Sequence, residues 1–192
     1  IIPFWLSLKD ERYGGFISYV DLDLRRYAKA EKGCILNSRI LWFFSEAAML
    51  LHTPELSHAA DHAYRFLMRY CVDRKAGGVF WSVTYDGKLL DTTKHTYNQA
   101  FAIYALSAYY RLTGNPEALQ TARQLFQIVE MHCRDAEGYG ESYDRFWNPQ
   151  SNEKLSENGV MAERTMNTLL HVFEGYSGRS EERRVGKECR SR

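Results

Sequence analysis

The sequence predicts an all-α fold, a toroid built from helical hairpins stacked side by side. Three observations lead there. A turn pattern recurs at Asp10-Glu11-Arg12-Tyr13-Gly14-Gly15-Phe16, at Asp73-Arg74-Lys75-Ala76-Gly77-Gly78-Val79-Phe80-Trp81 and, more weakly, at Asp135-Ala136-Glu137-Gly138-Tyr139-Gly140-Glu141, with the aspartates 63 and then 62 residues apart. A fixed period of this kind marks a repeat architecture. Pairs of segments with apolar residues at helical spacing fill the intervals. Within a pair, one helix is apolar over most of its surface and the other is amphipathic, which sorts them into inner and outer layers.

The elements follow in order. Residue 1 falls inside what reads as the end of a helix. Each Gly-Gly pair supplies turn conformations closed to other residues, and the aromatic stretch after it, such as 79–83, reads as a short strand or hairpin arm. Residues 38–52 form an inner helix through Ile40, Leu41, Phe43, Phe44, Ala47, Ala48 and Leu51. Pro54 opens an outer helix to about residue 70. Residues 96–112 form the next inner helix, with Ala100, Phe101, Ile103, Tyr104, Leu106 and Tyr109. Gly114-Asn115-Pro116 stops it and starts an outer helix to about residue 132, and a fifth helix spans 157–176. Short connections make successive helices antiparallel neighbours.

The last segment, 179–192, departs from this pattern. It has no aromatic residue, Val185 is its only branched aliphatic, and it carries six basic residues against three acids. It reads as a non-native tail like a translated adapter. The chain is accordingly divided into 1–178, about the first half of one barrel domain, and 179–192, a scar.

Composition excludes several function classes. Apolar residues make up 45 % and charged residues 26 %, a globular balance. A net charge of +1 argues against a nucleic-acid binder. No apolar run is expected to reach the roughly 18 residues of a membrane span. Four cysteines without CxxC spacing point to reduced thiols in the cytoplasm. No phosphate loop or dinucleotide fingerprint is present, so no cofactor is expected. Aromatic residues reach 14 %, which suits a site that stacks on cyclic ligands.

Three places could carry chemistry. Arg39 stands inside an aromatic and aliphatic run, either as a cationic donor lining a polar cavity or as half of a helix–helix salt bridge. Tyr97, Phe101 and Tyr104 share one helical face, as core or as cavity wall. Asn167 and His171 are four apart, with Glu174 three further on to orient the imidazole, a set able to move a proton on a polyol or to sit as satisfied core residues. His58, Asp61 and His62 imitate a metal pair but are expected on the solvent flank of an outer helix, and no metal site is expected.

Phe4-Trp5…Gly14-Gly15-Phe16, Ile35-Leu36-Asn37-Ser38-Arg39-Ile40-Leu41-Trp42, Gly77-Gly78-Val79-Phe80-Trp81, Lys94-His95-Thr96-Tyr97…Ala100-Phe101-Ala102-Ile103-Tyr104, Leu155-Ser156-Glu157 and Met166-Asn167…His171, in that order, resemble the cellobiose 2-epimerases of the N-acylglucosamine 2-epimerase superfamily over residues 1 to about 177. The resemblance implies an (α/α)6 barrel. It also implies inversion at C2 of the reducing-end glucose of cellobiose or a related disaccharide, through an enediol-type intermediate and without cofactor or required metal. Arg39, Tyr97 and Asn167 match substrate-binding positions, and His171 matches a site histidine that aids ring opening. The two histidines that exchange the C2 proton belong to the part of the family pattern beyond this chain, so the chain alone is expected to be inactive. The competing readings are an N-acylglucosamine- or mannose-type epimerase, an α/α-barrel glycan hydrolase using Glu141, Asp144 or Glu157 as general acid, and a non-catalytic carbohydrate-binding repeat.

Overall fold

The structure is a computed structural model that describes residues 1–151 and 163–188, with side chains to residue 179. The described residues form six α-helices: α1 (Ile2–Ser7), α2 (Cys34–Leu51), α3 (Pro54–Phe66), α4 (Thr96–Thr113), α5 (Pro116–His132) and α6 (Met166–Glu188). α3 runs on into a π turn at Leu67–Cys71. Five short strands complete it: β1 (Lys32–Gly33), β2 (Ser82–Val83), β3 (Leu89–Asp91), β4 (Lys94–His95) and β5 (Ser142–Tyr143), as an antiparallel β1-β2-β3 sheet and a β4-β5 pair.

α4 is the centre of the arc. It packs against α2, α5 and α6, while α3 packs on α2. The inner layer is therefore α2, α4 and α6, and the outer layer is α3 and α5. The sequence accounts for this directly. Twelve residues of α4 are buried, including Phe101, Ile103, Leu106 and Tyr109, as expected of a helix that is apolar on most sides. α3 and α5 bury one face each, with Ala59, Ala63 and Phe66 on the first and Ala122, Leu125 and Val129 on the second. Pro54 and Pro116 open both outer helices, and Asn115 caps α5 by accepting from the Glu117 and Ala118 amides.

The repeated aspartates each organise a turn and a tether. Asp10 accepts from the amides of Arg12 and Tyr13, Asp73 from Lys75 and Ala76, and Asp135 from Glu137 and Gly138. Each also binds a cation that sits two residues before the next inner helix. Lys32 Nζ lies 2.6 Å from Asp10 and donates to the Gly14 carbonyl at 2.6 Å. Lys94 Nζ lies 3.2 Å from Asp73 and donates to the Gly77 carbonyl at 2.5 Å. Arg164 pairs with Asp135. An amide on the inner helix then holds the residue after the glycines: Asn37 Oδ1 accepts from Phe16 N at 3.2 Å, and Gln99 Oε1 from Val79 N at 2.6 Å. The glycines leave room for these contacts. A Cβ on Gly78, at φ +81°, would come within 2.5 Å of the Trp147 ring, and one on Gly15, at φ +65°, within 2.7 Å of Phe66.

Several expectations change. The strand expected over 79–83 is confined to Ser82–Val83, because Phe80 N instead reaches back to the Cys71 carbonyl. α2 begins four residues earlier than expected, at Cys34, whose amide is tied to the Trp81 carbonyl. The fifth helix starts at Met166. Residues 163–165 are not helical, and 157–162 lie outside the described residues. Its backbone does not stop near Tyr176 but continues to Glu188. Finally, α2 is long and apolar enough, at a mean hydropathy of 1.3, to cross a membrane by length and composition. That overturns the expectation that no segment would qualify. Half of that window is buried, and the helix carries Arg39 and Glu46, which suits an inner core helix.

Candidate functional site

α1, α2, α4 and α6 wall a cavity of about 470 Å³ to which no outer helix contributes. Trp5 comes from α1; Leu36, Arg39, Ile40, Trp42 and Phe43 from α2; Phe101 and Tyr104 from α4; His171 and Glu174 from α6. The inner helices place these groups by spacing alone. Leu36, Ile40 and Phe43 are four and three apart, as are Tyr97, Phe101 and Tyr104, so each set shares a face.

The polar groups meet over one aromatic ring. The Arg39 guanidinium lies 4.9 Å from the centroid of Phe101. His171 packs against the same residue at 4.5 Å and edge-on to Tyr97 at 4.7 Å. Its Nδ1 is 2.7 Å from Glu174 Oε2. With Glu174 ionised, Nδ1 carries the proton and donates, which leaves Nε2 as the free acid–base position. Arg39 is exposed and makes no ion pair among the described residues, so its fork is open to oxygens in the cavity. Trp42 and Tyr104 stack at 5.3 Å and 21° to form a flat wall. Burial, together with the Glu46 and Glu174 carboxylates, pushes the Tyr104 phenol above its ordinary value, so it remains a hydroxyl. The arrangement can bind a polyol, hold a developing oxyanion and exchange one proton at Nε2.

Residues 14–168 match the N-acylglucosamine 2-epimerase (GlcNAc 2-epimerase) family. The chain belongs to this family. It is 57 % identical over 177 residues to a cellobiose 2-epimerase of Eubacterium cellulosolvens, a match covering 92 % of this chain and 44 % of that enzyme. The solved cellobiose 2-epimerase of Bacillus thermoamylovorans superposes with a TM-score of 0.91 at 46 % identity, over 94 % of this chain and 47 % of that one. A D-mannose isomerase at 22 % identity shares the fold, with a TM-score of 0.80. The chain spans about half the length of the curated relatives it matches. Its helical hairpins are those of the α/α barrel fold of its structural neighbours.

In this N-acylglucosamine 2-epimerase family member, Arg39, Tyr97 and His171 converge through Phe101. Tyr97 does so from behind Phe101 and His171 rather than from the cavity lining, and Asn167 does not join them: it lies exposed one turn before His171 and outside the lining. The carboxylates considered for a hydrolase are occupied elsewhere. Glu141 is buried and accepts from Thr165 N and Thr168 Oγ at 2.6 and 2.5 Å, holding the start of α6. Asp144 accepts from the Phe146 and Asn148 amides in a surface turn. Glu157 lies outside the described residues. The metal-like trio also disperses. Asp61 accepts from the Tyr109 hydroxyl, and His58 is exposed. His62 turns inward, against the expectation of a solvent-facing position, with Nε2 2.9 Å from the Gly15 carbonyl. Among the described residues, no group of three or more His, Cys, Asp or Glu is placed to hold a metal ion.

Two wall residues went unnoticed in the sequence as site residues. Trp5 and Trp42 are legible only inside the motifs that carry the family resemblance, with no role assigned to either. The signal for Trp42 is its spacing: it sits three residues after Arg39, on the adjacent strip of the same helix.

Proposed function

We propose that the chain is the first half of the barrel of a sugar 2-epimerase that inverts C2 of the reducing-end glucose of cellobiose or a related β-1,4-disaccharide. The observation that carries this reading is the His171–Glu174 pair at the edge of an aromatic cavity faced by Arg39, in a chain so similar to cellobiose 2-epimerases. In this reading His171 Nε2 exchanges the proton that opens the pyranose ring. Arg39 then stabilises the oxyanion that develops when the C2 proton leaves. Tyr97, edge-on to the His171 ring, positions the sugar, with Trp42 and Tyr104 as the stacking wall. Removal of the C2 proton gives an enediolate, and its return on the opposite face inverts the centre with no net change in composition. Two acid–base groups on opposite faces are needed for that exchange. They fall to histidines of the second half, and the chemistry requires neither metal nor organic cofactor.

Two corollaries accompany it. Residues 179–192 are a non-native tail, in keeping with their composition and with relatives that match 177 residues. The protein works in the cytoplasm, where the buried unpaired thiols of Cys34, Cys71 and Cys133 stay reduced. The test is the complete gene product incubated with cellobiose in deuterated water. The expected result is 4-O-β-glucosyl-mannose with deuterium at C2, loss of turnover in His171→Asn, and no turnover by the 192-residue chain alone. Turnover of N-acylglucosamine or mannose in place of cellobiose would move the substrate within the family. Release of hydrolysis products, or binding without C2 exchange, would refute the epimerase reading.

A further inference from the structure

A second cavity, of about 300 Å³, lies where the first-repeat turn, the end of the outer helix and the hairpin between β2 and β3 meet. It shares no lining residue with the cavity around His171. Arg12 enters it from the turn, Arg65 and Arg69 from the outer helix, and Tyr13, Tyr70 and Asp86 complete the walls. All three arginines are exposed, and none makes an ion pair among the described residues. The carboxylates nearby are already engaged: Asp86 with Lys88 at 3.2 Å and with the Thr84 hydroxyl at 2.6 Å, and Glu11 with Lys9 at 2.9 Å.

Such a gathering of like charge is unfavourable by itself. Arg65 and Arg69 are four apart, a spacing at which like charges repel. The C-terminal end of a helix welcomes a cation, but that leaves Arg12 unexplained, since it comes from a different segment. Two further observations point to a ligand. Arg69 and Tyr70 lie on the π turn Leu67–Cys71, a rare backbone form that recurs at functional sites. The guanidinium groups of Arg12 and Arg69 lie over the rings of Tyr13 and Tyr70 at 5.0 and 5.1 Å. Stacking fixes the plane of the fork while leaving its N–H edge open to an acceptor. His62 borders the same cavity; burial lowers its imidazole, the Gly15 carbonyl and Glu11 raise it, and Lys9 and Arg65 lower it, which leaves it below the ordinary value.

We propose that this junction binds a small phosphate monoester, with the phosphate held by Arg12, Arg65 and Arg69 and its organic body against Tyr13 and Tyr70. A dianion with three equivalent oxygens matches several guanidinium forks. The cavity is at the small end of ligand sites, which suits a phosphorylated monosaccharide.

The complete gene product carrying this sequence is titrated calorimetrically with inorganic phosphate and with glucose 6-phosphate at low ionic strength. Both bind, glucose 6-phosphate more tightly. Each of Arg12→Gln, Arg65→Gln and Arg69→Gln weakens binding about tenfold, the triple variant abolishes it, and Arg69→Lys retains part of it. Sugar epimerisation serves as the folding control and is unchanged in all of them, so the outcome is read independently of the proposed activity. The proposal is overturned by absence of binding at millimolar concentration, by binding that the triple variant leaves intact, or by equal affinity for the two probes.

Discussion

Replacing each repeated aspartate by alanine should give sharply unequal losses of stability, because the three tethers differ in burial. The side chains of Lys94 and Asp73 are 0 % and 1 % exposed, those of Lys32 and Asp10 are 1 % and 7 %, and those of Arg164 and Asp135 are 34 % and 48 %. Removing one partner of a buried ion pair strands the other charge in a low-dielectric interior, at a cost of about 3–5 kcal/mol. Asp73→Ala and Asp10→Ala should each fall in that range. Asp135→Ala leaves a solvated arginine and should be close to neutral. Equilibrium urea unfolding of the complete protein measures the three midpoints. A second arm isolates the cause: Lys94→Met in the Asp73→Ala background removes the stranded ammonium and should recover part of the loss. Equal losses at all three aspartates, or a double variant whose losses simply add, would refute the argument from burial. The same pairs set an acid limit. Burial alone would raise the Asp73 carboxyl, but Arg145, the Lys75 amide and Lys94 outweigh it. Lys32 and the Tyr13 amide do the same at Asp10, so both lie below the ordinary 3.8. The unfolded chain then binds more protons in that window. Their stabilisation is complete above 3.8 and is lost as pH falls through the folded-state values, so the acid-unfolding slope should flatten in Asp73→Ala.

Gly78→Ala forces a side chain into φ +81° and against Trp147. It should cost about 2 kcal/mol or more by thermal unfolding, whereas a neutral result would mean that Trp147 moves freely. Burial pushes the Cys133 thiol up to about 12 and raises Cys34 well above its ordinary value. In the folded protein Cys34, Cys71 and Cys133 should therefore stay unlabelled by a thiol-specific disulfide reagent at neutral pH, read peptide by peptide by mass spectrometry, and rapid labelling of any of them would contradict the burial. In the complete enzyme, Glu174→Gln keeps the shape of the His171 contact but loses its charge. The expected result is a kcat lowered at least about tenfold with KM little changed and an altered pH profile. An unchanged profile would assign Glu174 to packing alone.

The helices were legible because their signals are local. Pro54, Pro116 and Gly114 punctuate the chain, and the apolar spacing between them fixes which faces are buried. The repeat was visible through its glycines and aspartates, yet the lysines that complete it were not. Lys32 and Lys94 follow their aspartates by 22 and 21 residues, and a lone lysine before a helix reads as a solvated charge until the fold brings the turn over it. The site shows the same division. Arg39 and His171 stand out as polar residues in apolar surroundings, and Tyr97, Phe101 and Tyr104 as one aromatic face, but nothing local in the sequence says that they meet over Phe101. The inner-helix starts explain why these two kinds of feature occur together. Each tether fixes the residue two places before an inner helix, and the catalytic candidates project from the first two turns of those same helices. Arg39 follows Lys32 by seven residues, Tyr97 follows Lys94 by three, and His171 follows Arg164 by seven. A shift of one tether would therefore rotate or translate one wall of the cavity against the other two. The repeat thus positions the site as well as stabilising the arc, and at the His171 wall, where the tether is exposed, buried Glu141 anchors the helix start through the Thr165 amide and the Thr168 hydroxyl.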